Sequence, residues 1–62
     1  MPERAIEIAK AEKPGVMTDL DLEIKRKKWL YEVEIVDNDG IEWEFKIDAR
    51  DGKVLKVKRD WF

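Results

Sequence analysis

Two stretches of the chain alternate apolar and polar residues. Trp29, Tyr31, Val33 and Ile35 alternate with mostly polar neighbours, and so do Ile41, Trp43, Phe45 and Ile47. Period two with aromatic and β-branched residues predicts strands buried on one face, and the Asp-Asn-Asp-Gly segment between them predicts a hairpin. Paired residues share a face, so odd positions must oppose odd positions. A loop of Asn38-Asp39-Gly40, with Gly40 left-handed as a bulge, keeps that parity. Asp37 then faces Ile41, Ile35 faces Trp43, Val33 faces Phe45 and Tyr31 faces Ile47. On the outer face Glu32 meets Lys46, which is favourable, and Glu34 meets Glu44, which is not.

The flanks complete a sheet and a helix. Thr18 to Lys25 alternates with Leu20, Leu22 and Ile24 on one side and Asp19, Asp21 and Glu23 on the other, which predicts a first strand. Its apolar residues are even-numbered, so an even loop must join it to the next strand, such as Lys25 to Lys28 between Ile24 and Trp29. After Ile47, a loop of Arg50-Asp51-Gly52 sets Ile47 opposite Leu55, Phe45 opposite Val57 and Glu44 opposite Lys58. The same parity lays the Arg59 stem over the Trp43 indole, with its charge toward solvent. Pro2 to Glu12 predicts a helix: Pro2 suits the first turn, Glu3 its positive end, and Pro14-Gly15 stop it. Ala5, Ile8 and Ala9 form one apolar stripe, with Ile6 at its margin. A helix this short is marginal alone and must rest on the sheet.

The fold class is therefore α+β, one domain over 1–62, with an N-terminal helix packed on a four-stranded antiparallel β-meander. Leu20, Leu22, Tyr31, Val33, Ile35, Trp43, Phe45, Ile47, Leu55 and Val57 are the predicted core with Ala5, Ile8 and Ala9.

Composition narrows the chemistry. The 62 residues include no Cys, which excludes disulfides and thiolate metal sites, and no His, which removes the commonest general base and transition-metal ligand. Charged residues are 45% of the chain, yet 13 basic against 15 acidic give a net charge of −2, so there is no reason to expect nucleic-acid affinity. No apolar run approaches the roughly 18 residues of a membrane span, so this segment is not expected to insert in a membrane. Glu3, Arg4 and Glu7 interrupt anything resembling a signal peptide.

Candidate sites are few. Lys25-Arg26-Lys27-Lys28 would suit phosphate or an acidic partner, but reads first as a solvated hairpin tip. Asp37-Asn38-Asp39-Gly40 shares the start of a calcium loop, but lacks its later bidentate Glu and flanking helices. Asp19, Asp21, Glu32 and Glu34 imitate acid/base pairs, but project from an open face and are expected to titrate as ordinary surface carboxylates. No GxSxG, Walker loop, HExxH or CxxC occurs, so no catalytic residue, cofactor or metal ligand is assigned and the chain is not expected to be an enzyme.

Taken together, the segments resemble the PepSY domain, named for peptidase propeptides and a spore-germination protein. The resemblance rests on Ala5-Ile6-Glu7-Ile8-Ala9, Pro14-Gly15, Asp19-Leu20-Asp21-Leu22-Glu23, Trp29-Leu30-Tyr31-Glu32-Val33-Glu34-Ile35, and Phe45-Lys46-Ile47-Asp48-Ala49 with Asp51-Gly52-Lys53-Val54-Leu55. The Lys-Arg-Lys-Lys turn departs from it, since Gly or Asn is more usual there, and so does the lack of an export signal. The resemblance implies a non-catalytic protein-interaction module of the extracellular space or cell envelope. Its members include propeptides of thermolysin-type metallopeptidases, for which a peptidase-restraining role has been proposed. It assigns no functional residue.

A helix is roughly 10 Å across, whereas four strands at about 4.8 Å spacing span more, so one helix covers only part of the sheet. Exposed apolar surface of that kind marks contacts, which makes Trp29, Trp43 and Trp61 the candidate partner contacts. The partner is a peptidase, a tandem domain or a second copy of the chain. Two alternatives stay open: that Val16, Met17 and Phe62 fold over the face, and that the domain is purely structural, self-associating or an engineered binder on this scaffold.

Overall fold

The computed structural model describes residues 2–60. Its elements are α1 (Pro2–Glu12), β1 (Gly15–Lys25), β2 (Lys28–Asp37), β3 (Glu42–Asp48) and β4 (Val54–Asp60). The strands form one antiparallel sheet in the order β1-β2-β3-β4, the predicted α+β meander. The central register is also as predicted, with Ile35 opposite Trp43, Val33 opposite Phe45 and Tyr31 opposite Ile47. Gly40 sits at φ 78° and donates its N–H to the Asp37 carbonyl at 3.0 Å, while the Asp37 N–H donates to the Ile41 carbonyl at 2.9 Å.

The outer strands depart from simple alternation. β1 begins at Gly15 rather than Thr18, because Gly15, Val16 and Met17 already pair with Asp37, Val36 and Ile35. The register shifts between Met17 and Asp19, so Thr18 is an extra residue in the ladder. That bulge turns both Met17 and Leu20 toward the core, although one is odd and the other even. The Thr18 hydroxyl is occupied, donating to Glu34 Oε1 at 2.9 Å.

The β3–β4 connection corrects the predicted pairing of Ile47 with Leu55. The Asp48 N–H donates to the Lys53 carbonyl at 2.8 Å, and the Gly52 N–H donates to the Asp48 carbonyl at 3.0 Å. The loop is therefore Ala49 to Gly52, one residue longer than predicted, and Ile47 faces Val54. Side chains favour the longer loop: Asp48 Oδ1 accepts from the Arg50 N–H at 2.8 Å and Asp51 Oδ1 from the Lys53 N–H at 2.9 Å. A register shift then leaves Leu55 without a partner and restores Phe45 opposite Val57 and Glu44 opposite Lys58.

The β1–β2 turn keeps the predicted pairing of Ile24 with Trp29, but Lys25 and Lys28 pair as well. Only Arg26 and Lys27 make the reversal, both left-handed at φ 48° and 66°.

Ala5 and Ala9 bring α1 close to the sheet, where Val33, Ile35, Phe45 and Ile47 are fully buried. Ile8, Met17, Leu20, Tyr31, Trp43 and Val54 pack around them. Leu22, Leu55 and Val57, predicted to line the core, are exposed, because α1 rests mainly on β2 and β1 and does not reach them. Val16 is exposed too and does not cover this face. Trp61 and Phe62 lie outside the described residues.

Candidate functional site

The sheet face that carries α1 is uncovered beyond the β1–β2 end of the helix. There Leu22 pairs with Tyr31 and Ile24 with Trp29, on the same face as the buried Val33. Leu22 is 47% exposed, Ile24 62% and Trp29 52%. Alternation places all three on the inner side, while the hairpin carries them past the last helical contact. Lys25, Arg26, Lys27 and Lys28 are exposed at the tip beside them. The result is an apolar strip ending in a basic cap, the composition of a contact surface rather than a pocket.

Trp43 lies at the opposite end of the sheet, opposite Ile35, and is engaged within the domain. Its indole N–H donates to Asp37 Oδ2 at 2.8 Å. Lys13 Nζ sits 4.0 Å from the ring centroid, and the Arg59 guanidinium carbon, expected over this ring, lies at 6.0 Å. Asp37 Oδ1 accepts from the N–H groups of Asp39 and Ile41, both at 2.9 Å. These donors, the indole first, hold the Asp37 carboxyl below its ordinary value of 3.8. From the sequence, Asp37 reads as part of the turn and as the first position of the calcium-loop pattern, not as the partner of Trp43. The signal available is an Asp two residues before the loop's Asp39, the spacing at which its side chain bonds the backbone.

The outer face carries the carboxylates. Asp19 pairs with Glu34 and Asp21 with Glu32, while Glu34 opposes Glu44 and Glu32 opposes Lys46. The expectation of ordinary titration fails at two of them. Glu32 is pushed up from 4.5 to about 7, first by its hydrogen bond to Glu23, then by burial and by the charges of Glu44 and Glu23. Glu23 is lowered, first by the same contact with Glu32, so the two carboxyls titrate as a pair. Glu23 Oε1 is buried without a hydrogen-bond partner, and Lys25 Nζ lies 3.5 Å from it as an ion pair. Asp21 is raised, chiefly by the charge of Asp19. The pair has the chemistry of an acid/base couple, but it stands on an open sheet with no cleft around it. Among the described residues no group of acidic side chains is disposed to hold a metal ion.

A cleft between α1 and the β3–β4 turn, bordered by Arg4, Tyr31, Asp48 and Arg50, has a volume of about 110 Å³, room for only a few waters. No helix among the described residues is long and apolar enough to cross a membrane.

Comparison with known proteins agrees with the geometry. The family model for PepSY, the peptidase propeptide and YPEB domain, matches residues 2–58. The chain belongs to the PepSY family. It is 38% identical over 58 residues to the uncharacterized protein YkoJ of Bacillus subtilis (strain 168), an alignment that covers 94% of this chain and 34% of that protein. The PepSY domain described here thus spans about a third of the length of the curated relative it matches. No solved structure matches it. The matched segment takes in α1 and all four strands up to Lys58, and includes Leu22, Ile24, Trp29, Asp37 and Trp43.

Proposed function

We propose that this PepSY domain is a non-catalytic protein-binding module that restrains a peptidase. The observation that carries the proposal is the adjacency of Leu22, Ile24 and Trp29, three large apolar side chains exposed on the helix-bearing face. An aromatic anchor beside two aliphatic residues, ringed by the basic Lys25–Lys28 tip, matches the makeup of interface hot spots. The bases select an acidic rim on the partner and steer its approach. The propeptide-type family is consistent with a peptidase as partner, and the resemblance to propeptides of thermolysin-type metallopeptidases selects the kind to test. Trp29 is the principal contact in this reading. Trp43 supports the domain through Asp37 and Lys13.

The test is inhibition of a thermolysin-type metallopeptidase by the purified domain, with Trp29→Ala compared. Saturable inhibition, weakened about tenfold or more by the substitution, supports the reading. Full peptidase activity at every excess of domain overturns it.

A further inference from the structure

We propose that β1 of one copy of this chain pairs antiparallel with β4 of a second copy, so that the sheet continues from domain to domain. The two edges are complementary in charge. On the outer face β1 presents Asp19, Asp21 and Glu23, and β4 presents Lys56 and Lys58, all exposed except Glu23, which keeps its contact to Lys25. Among the described side chains neither Lys56 nor Lys58 forms an ion pair; their cross-strand neighbours are Lys46 and Glu44. On the inner face both edges are apolar and uncovered, with Leu22 and Ile24 on β1 and Val57 on β4.

Backbone phase agrees with side-chain sign. The bond from the Asp48 N–H to the Lys53 carbonyl fixes which residues of β3 bond β4. Asp48, Lys46 and Glu44 turn toward β4 and are met by Lys53, Lys56 and Lys58, so Val57 turns its N–H and carbonyl outward. In β1 the two-residue turn pairs Lys25 with Lys28, which directs Lys25, Glu23 and Asp21 at β2 and leaves Leu22 turned outward. Val57 opposite Leu22 is then a hydrogen-bonded pair, flanked by Lys58 opposite Asp21 and Lys56 opposite Glu23. These flanking pairs are the non-hydrogen-bonded kind, in which side chains approach most closely.

Charge also decides against the other pairings. Two β1 edges would set carboxylates against carboxylates, and two β4 edges would set lysines against lysines. Charged edges and bulges such as those at Thr18 and Leu55 normally guard against indiscriminate strand pairing. Here opposite signs on the two edges exclude like edges and admit the unlike one. The association is head to tail, with different surfaces of the two copies in contact, so it extends rather than closing as a two-fold dimer.

Sedimentation velocity over a wide concentration range at low salt tests this, with Asp21→Lys and Lys56→Glu. Each substitution removes a like-charge contact within the monomer, to Asp19 and Lys46 respectively, so both variants fold. The wild-type average mass is expected to rise above the 7.4 kDa of one chain with concentration and to fall back on adding salt. Each variant alone is expected to stay monomeric. Their mixture keeps one native β1 edge and one native β4 edge, so it forms a complex of one copy of each that grows no further. A wild-type monomer throughout, a variant that associates like wild type, or a mixture that stays monomeric overturns the proposal.

Discussion

The indole N–H of Trp43 reaches Asp37 Oδ2 at 2.8 Å, tying the start of β3 to the residue that opens the β2–β3 turn. The other carboxylate oxygen accepts from the Asp39 and Ile41 N–H groups, so one side chain fixes both the loop and the strand after it. A group held below its ordinary pKa in the fold stabilises the fold above that value and loses the contribution as pH falls through the folded pKa. Asp37→Asn should therefore lower the melting temperature at neutral pH, with the gap to wild type narrowing as pH drops below the ordinary 3.8. Thermal melts across the acid range check it.

The two left-handed glycines are not equivalent. Gly40, at φ 78°, has open space where a Cβ would go, so Gly40→Val costs backbone strain alone. Gly52, at φ 77°, has Ile8 Cδ1 at 3.0 Å and Arg4 Nε at 3.2 Å from that position. Both substitutions should destabilise by more than about 1 kcal/mol, and Gly52→Val by more than Gly40→Val because it also pushes on α1. Denaturant titration of the two variants gives the order.

Arg26 and Lys27 hold left-handed backbone with side chains that disfavour it. Replacing the pair by Asn-Gly, the residues this turn type prefers, should stabilise the domain by roughly 1 kcal/mol. Chemical denaturation checks that.

Glu32 binds its proton more tightly in the fold than in the unfolded chain, with a pKa of about 7 against 4.5. Its contribution is fully present below the ordinary value and is lost as pH rises through the folded one. Glu23 is shifted the other way and opposes this only in more acid solution. Stability should therefore decline from about pH 5 to about pH 8. Glu32→Gln, which keeps a donor to Glu23 at every pH, should flatten that decline. Parallel pH dependences of the melting temperature in the two proteins would contradict the raised Glu32 pKa.

The central hairpin was legible because Val33, Ile35, Phe45 and Ile47 are buried by strict alternation around a loop whose Gly40 marks its own conformation. The outer strands were less so. Thr18 and Leu55 interrupt their ladders, and nothing in residue type at either position marks an extra residue. Ile47 meets Val54 because Asp48 and Asp51 bond the β3–β4 loop from their side chains, an effect that parity counting omits. Leu22 alternates as well as Leu20 does, yet only Leu20 packs on the core, because the reach of α1 is set in three dimensions. Trp29 and Trp43 were equal candidates by composition. Only the fold separates the exposed indole beside Ile24 from the one bonded to Asp37.

The claim that Leu22, Ile24 and Trp29 form the surface that meets a peptidase is tested most directly by heteronuclear NMR. The labelled domain is titrated with a thermolysin-type metallopeptidase, and the backbone amide and indole N–H signals are followed. The account predicts saturable changes at the Trp29 indole and at the amides of Leu22 and Ile24, with the Trp43 indole unmoved on its Asp37 bond. Binding that shifts the Trp43 indole while leaving Leu22, Ile24 and Trp29 unchanged would contradict it.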